Sequence, residues 1–313
     1  MTSSAREAAR PAAPLSSTSS RPAPARIERP LHGILLVTAA VFCFACSDAF
    51  AKTLMEILPA VQVTWLRFVV FVLVLAPVAL RMGARSLRTR HPVLQVLRGV
   101  GVSVSALLFI LALGVVPLAE ATAIAFVSPL FVTALSVPIL GERAGGRRWA
   151  AVAIGFLGVM IVVRPGSEAF DPSAILLILA AFIWALSLVI TRRMSGGDHP
   201  LTTMVYSAVV GCLVMSAVVP FAWADLGWRE LGLGLATGLT ATAAQCLIVL
   251  AYRQASASVL APFFYSQLVW SALLGLLVFG NVPDLWTLVG TGVIIASGLY
   301  TAHRERLQSR EPG

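Results

Sequence analysis

Residues 34–53 read ILLVTAAVFCFACSDAFAKT, and 141 residues later residues 175–194 read ILLILAAFIWALSLVITRRM. Ile34, Leu35, Leu36, Ala39 and Ala40 recur as identities, and Lys52 lies over Arg193. Each stretch is close to the roughly 20 apolar residues that a helix needs to cross a bilayer core. A second register, offset by 139, lays 106–141 over 245–280 without a gap and pairs Leu108, Leu111, Ala112, Leu135 and Gly141 with Leu247, Leu250, Ala251, Leu274 and Gly280. After a shift of two residues, Trp149, Val152 and Gly155 lie over Trp286, Val289 and Gly292. A near-constant offset across half the chain marks an internal repeat.

The 313 residues are 58% hydrophobic and 12% charged, whereas soluble domains carry about 25% charged and 45–50% apolar residues. Lipid is therefore the expected solvent. Apolar runs are expected to be membrane helices at 33–54, 61–80, 97–116, 119–140, 149–163, 173–191, 200–223, 231–252, 255–280 and 285–302. Residues 1–30, rich in Ala, Pro, Ser and Arg, lack the apolar residues for a core and are expected to be disordered. The first run has a basic leader and an Ala49-Phe50-Ala51 site of the cleaved-signal type. Its partner in the second half argues that it is a retained helix.

Ten runs give five per half. Five is odd, so the second half is expected to lie upside down relative to the first. Of the 23 basic residues, nineteen fall in segments on the side of the N-terminus and three, Lys52, Arg164 and Arg229, on the other; Arg67 lies within the second run. The positive-inside rule then places both termini in the cytoplasm. The same scattering in short loops argues against nucleic-acid binding despite a net charge of +9. Cys43, Cys46, Cys212 and Cys246 all lie in apolar runs, and no disulfide or metal site is expected.

Particular residues then point to a family. The first run ends Ser47-Asp48-Ala-Phe-Ala-Lys52, the second carries Trp65-Leu-Arg67-Phe68, and residues 117–143 read PLAEATAIAFVSPLFVTALSVPILGER. Trp149 and Gly155-Phe-Leu-Gly158 follow. This pattern resembles the ten-helix, EamA-type branch of the drug/metabolite transporter superfamily, over residues 32–302. The second half departs from it, with Gly280-Asn281 against Gly141-Glu142 and Leu268 against Pro129. The resemblance implies an all-α integral membrane protein of ten transmembrane helices, built as two inverted five-helix repeats, 32–163 and 173–302. Residues 1–30 and 303–313 would be cytoplasmic tails.

Ionisable groups in a membrane are costly, so each needs a reason. Asp48 and Lys52, four apart, share a helix face and can pair locally. With Arg67 and Glu120 they lie toward the outer half, where one aqueous vestibule can hold all four. Simple extension of Lys52 and Glu120 to the interface is the competing reading. Asp48 and Glu120 are candidates for a proton- or substrate-responsive carboxylate, and Arg67 and Lys52 for the group that holds a ligand anion. Pro129 and Pro262 fall in corresponding helices, and matched helix breaks mark binding sites in inverted-repeat carriers. Around them Ser128, Tyr265, Gln267 and Trp270 are candidate ligand contacts, with Trp184 and Gln245 of the same class. Glu142 and Arg143 suggest a loop ion pair. Gly234-Leu-Ala-Thr-Gly238 has the spacing for close helix approach.

The expected function is a secondary transporter in a bacterial inner membrane. Its substrate would be a small polar or amphipathic metabolite, its coupling partner a proton or a counter-substrate, and it would need no cofactor. A homodimer is compatible with this. The alternatives are a membrane-embedded enzyme and a non-transporting scaffold. Against the enzyme stand the absence of hydrolase and metalloprotease motifs and the loop or tail positions of all four histidines.

Overall fold

The computed structural model describes residues 30–86, 88–141, 145–167, 170–194 and 198–308, and among these the regular structure is helical throughout. The helices are α1 Pro30–Leu54, α2 Ala60–Ser86, α3 Pro92–Leu113, α4 Leu118–Ala125, α5 Ser128–Leu140, α6 Gly146–Val163, α7 Ser173–Arg193, α8 Pro200–Val218, α9 Trp228–Gln254, α10 Ala257–Phe264, α11 Ser266–Phe279 and α12 Leu285–Gln308. A 3-10 turn, Val219–Ala222, extends α8. The expectations for residues 1–29, for Glu142 and Arg143 and for the last five residues fall outside the described residues.

Eight stretches are long and apolar enough to cross a membrane, with α4–α5 and α10–α11 each counting as one. Two further apolar stretches, Trp149–Val163 in α6 and Leu285–Thr301 in α12, are shorter. Their helices pack along one another. The third expected span starts too late, at 97. Pro92 sits in the first turn of α3, where its fixed φ suits a helix start and its missing N–H has no partner to lose. This start brings Gln95 into the helix and places Arg98 on its second turn. α5 and α11 stop alike, at Gly141 (φ 72°) and Gly280 (φ 67°), in the left-handed conformation that glycine adopts without strain.

The helix contacts follow one pattern. α1 packs on α9 and α3 on α7; α2 on α9 and α3 on α8; α1 on α11 and α5 on α7. Each pair becomes the other when α1, α2, α3 and α5 are exchanged with α7, α8, α9 and α11. α2·α8 and α6·α12 join a helix to its own counterpart. The detail agrees. A Cβ on Gly99 of α3 would meet the Val210 Cβ of α8 at 2.7 Å, and one on Gly238 of α9 would collide with the Val70 Cβ of α2. Bare backbone at these two points is what allows the helices to approach closely.

The helix junctions gather at two ends. At one, here called the terminal end, the start of α1 lies against the α9–α10 junction, since a Cβ on Gly33 would meet that of Ala255 at 2.8 Å. At the opposite end a single apolar core holds Leu54, Leu58, Leu113, Val116, Leu118, Val163 and Ala174. The four cysteines are free thiols.

Candidate functional site

Helix α1 carries Asp48 on a buried face, and α2 brings Arg67 against it. The Arg67 Nη1 to Asp48 Oδ1 distance is 3.5 Å, with side chains 17% and 7% exposed. Asp48 therefore pairs across helices, and the local Asp48–Lys52 pair does not form. The physical reason is that Lys52 has stronger partners. Its Nζ donates to the carbonyl oxygens of Leu113 at 2.7 Å and Val116 at 2.8 Å, and lies 5.7 Å from the centre of the Phe279 ring. Carbonyls left open at a helix C-terminus, at the negative end of its dipole, are a natural seat for an ammonium.

Glu120 takes a third setting. In the first turn of α4, it is within electrostatic reach of Arg164, Asp284 and Asp171. Arg164 closes α6 and bonds Asp284 at 2.6 Å. Asp284 in turn accepts from the backbone N–H of Thr287 at 2.8 Å. Burial opposes charge on Asp284, but the bonds from Thr287 and Arg164 outweigh it and hold its carboxyl below the usual range. The four ionisable candidates thus divide among three settings, and only Asp48 and Arg67 form a mutual pair.

The helix breaks come close to where prolines suggested. Between α4 and α5 the Val127 N–H bonds the Ile124 carbonyl at 3.0 Å and the Leu130 N–H bonds that of Val127 at 2.9 Å. These i to i−3 bonds make a short 3-10 stretch inside a membrane helix, a common site of hinges. Pro129 follows directly, and having no N–H it cannot bond the Ala125 carbonyl one turn back. In the second half the break is at Tyr265, where the Leu268 N–H bonds the Tyr265 carbonyl at 3.1 Å. Pro262 lies within α10, three residues ahead of this break, and is not the break itself. The two breaks meet: the Phe126 and Tyr265 rings are 5.2 Å apart.

Ser128 begins α5, Gln267 lies in the first turn of α11, and Gln245 is half-buried on α9. Trp184 of α7 packs against Phe68, Val102 and Met215. Trp270 of α11 stands edge-on to Phe42 of α1, with ring centres 5.0 Å apart.

Sequence reasoning missed a polar cluster at the terminal end. Asp198, just before α8, accepts from the Thr89 hydroxyl, from the Arg90 N–H at 3.0 Å and from Gln95 Nε2 at 2.8 Å. Gln95 Nε2 also donates to Thr203 Oγ1 at 3.1 Å. One turn on, Arg98 Nε donates to Thr191 Oγ1 at 2.7 Å, and its Nη1 to Ser207 Oγ and to the Thr203 carbonyl. The start of α3 is thereby tied to α7 and α8. The opposite end has a lighter counterpart: Gln62 of α2 exchanges two bonds with the backbone of Ala224, of 2.8 and 2.9 Å. Gln62 and Thr203 stand 141 residues apart, at the repeat offset. The signal was Pro92, which starts α3 early enough to place Gln95 and Arg98 on its first two turns.

A family model for the EamA-like transporter family matches residues 31–164 and again 171–301. The chain belongs to the EamA-like transporter family.

Named relatives extend the comparison for this family member. An S-adenosylmethionine uptake transporter of Rickettsia prowazekii (strain Madrid E) is 29% identical over 276 residues, 88% of this chain and 94% of the relative. A riboflavin transporter of Rhizobium johnstonii is 32% identical over 75% of this chain and 78% of its own length. A pseudopaline exporter of Pseudomonas aeruginosa is 30% identical over 88% of this chain and 96% of its own. A crystal structure of another protein shares the fold, with a TM-score of 0.61 at 21% identity, covering 89% of this chain and 99% of that one. This EamA-like family member is thus a multi-pass membrane transporter. Its relatives carry small molecules, and its Asp48–Arg67 pair lies in the first of the two matched segments.

Proposed function

We propose that the chain is a secondary active carrier that moves a small polar or amphipathic metabolite across an inner membrane by alternating access. Its ten spans form two inverted five-helix repeats, 32–163 and 173–302, with both termini in the cytoplasm. The observation that carries this reading is the exchange of contacts between halves, down to the Gly99–Val210 and Gly238–Val70 pairs. Two interlocked copies of one unit can settle in two arrangements of similar energy, each closed at one end. The Asp198–Gln95 cluster and the Gln62–Ala224 pair are polar clamps at the two ends; both are closed here, and transport would open them one at a time. Asp48 and Arg67 are the charged pair on which a substrate or a proton acts, and Glu120 lies beside the opposite-end junctions.

The relatives' names favour a carrier over a membrane-embedded enzyme or a scaffold, and suggest riboflavin and S-adenosylmethionine as first substrates to try. Proteoliposomes loaded with either compound are expected to accumulate its labelled form from outside without any other energy source. Labelled compound that enters only to the equilibrium level, with or without internal substrate, would point to a channel. Chemical conversion of the compound would point to an enzyme. The orientation has its own check, since reporter fusions after residues 90 and 168 should read cytoplasmic and external respectively. The same compartment for both removes the proposed topology.

A further inference from the structure

We propose that the indole N–H of Trp270 is a substrate-recognition donor, in a subsite between α1 and α11 that takes the edge of a planar heteroaromatic ring carrying carbonyl or ring-nitrogen acceptors. This rests on the carrier reading above and names the substrate class for it.

The case begins with donors that lack acceptors. Trp270 Nε1 and Ser271 Oγ, on consecutive residues of α11, are buried with no hydrogen-bond partner among the described residues, and Ser271 is fully buried. In a membrane interior no water relieves such a group, and the cost of leaving it unpaired is large. Most buried polar side chains avoid that cost; among the described residues Gln95 Oε1 and Arg164 Nε are the other two exceptions. Thr64, Thr122, Thr191, Ser207 and Thr242 each return their hydroxyl to the carbonyl four residues back. Trp65 gives its indole N–H to Ser216 Oγ at 2.9 Å. Trp270 departs from that habit where α11 faces α1, and there it marks a place kept for an outside acceptor.

The other half of the chain separates packing from donation. The repeat offset of 139 lays Trp270 over Phe131. Phe131 makes the equivalent α5–α7 contact by standing edge-on to Phe182, with ring centres 5.5 Å apart. Phe182 is one residue from the position that the offset of 141 assigns to Phe42. A phenyl ring therefore suffices to pack at this position, and the N–H of Trp270 is surplus to packing.

The surroundings define the ligand. Trp270 packs with Phe263 and Phe264 against a cluster centred on Val37, Val41 and Leu260, and Phe42 adds an aromatic edge. Such walls accept a flat, uncharged ring, and uncompensated donors ask for acceptors on its rim. The donor lies on the segment just beyond the Tyr265 break, so bending there carries it toward or away from a ligand.

Trp270→Phe copies the residue that the first half already uses, so the bundle should retain its fold, checked by an unchanged thermal midpoint in detergent. Binding is read with riboflavin as the planar probe and S-adenosylmethionine as a second one with an adenine ring. Loss of one buried hydrogen bond should weaken riboflavin binding about tenfold or more. Ser271→Ala should give a smaller loss. Riboflavin bound by Trp270→Phe as tightly as by the parent overturns the proposal. So does a parent that exchanges some non-aromatic solute but binds neither probe, in which case the carrier reading stands. A parent that exchanges no solute in counterflow sinks the carrier reading itself, and this subsite with it. A Trp270→Phe variant that unfolds would show that the N–H serves structure, which also overturns the proposal.

Discussion

Asp48→Asn is expected to remove most transport and to destabilise the protein, and Lys52→Met added to it will restore neither. Asp48 is 5% exposed and its partner is Arg67, 3.5 Å away across two helices. Removing one member of a buried pair leaves the other charge uncompensated, at a cost of about 3–5 kcal/mol. Lys52 cannot compensate, because its ammonium is held by the Leu113 and Val116 carbonyls. The informative partner is Arg67→Gln. The double variant Asp48→Asn with Arg67→Gln removes both charges and should recover most of the lost stability, seen as a return of the thermal midpoint in detergent. Transport should stay absent in it, because a substrate- or proton-responsive pair works through its charges. Normal counterflow in the double variant would make the pair structural, and the helix breaks at Phe126–Val127 and Tyr265 would remain as the candidate centre.

The second large effect is expected at the clamps. Asp198→Ala removes the acceptor shared by Thr89, Arg90 and Gln95. Amide exchange over residues 89–98 and 200–207 should rise at least tenfold, while residues 60–66 and 222–228 at the opposite end become better protected. Gln62→Leu should do the reverse. If each variant loosens only its own end and leaves the other unchanged, the two ends are not coupled and alternation through these clamps is wrong. Acid should not mimic Asp198→Ala. Burial opposes the Asp198 charge, but the bonds from Thr89, Arg90 and Gln95 prevail and hold the carboxyl below the ordinary aspartate range. A carboxyl lowered on folding contributes above its unfolded value and loses that contribution only as pH falls through the lower folded value. The protection factors at residues 89–98, taken relative to the intrinsic exchange rate at each pH, should therefore be the same at pH 8 and at about pH 5.

Much of the architecture was legible because it rests on one-dimensional signals. Apolar length placed the helices to within a few residues, and the Gly141 and Gly280 stops fell at matching places in the two halves. Family resemblance rested on contiguous motifs, which survive as sequence. The partners of charged side chains were not legible, because they depend on which helices become neighbours. Spacing along one helix suggested Asp48 with Lys52, yet α2 and the end of α3 offered each a better partner from elsewhere in the chain. Glu120 joined Arg164 and Asp284, far from it in sequence, for the same reason. Gln95 falls outside the run that hydropathy alone marks, because that run starts at 97 while Pro92 starts α3 earlier. Proline located the first break through its effect on the preceding residues, but at Tyr265 the break lies three residues beyond Pro262 and no single residue type announces it.

The glycine contacts have a mechanical meaning. Gly238 against Val70 and Gly99 against Val210 are places where two helices touch through almost no side chain, so each is a bearing rather than an interlocked joint. Val70 lies about 12 Å along α2 from Gln62, at about 1.5 Å per residue. A roll of roughly 10° about that bearing would swing Gln62 by about 2 Å, enough to part bonds of 2.8 and 2.9 Å to Ala224. The matching lever on α8 runs from Val210 to Thr203 and the Asp198 clamp. Under the proposed alternating access, short levers on smooth fulcrums would let a small rotation about these bearings release one mouth of the protein while the other stays seated.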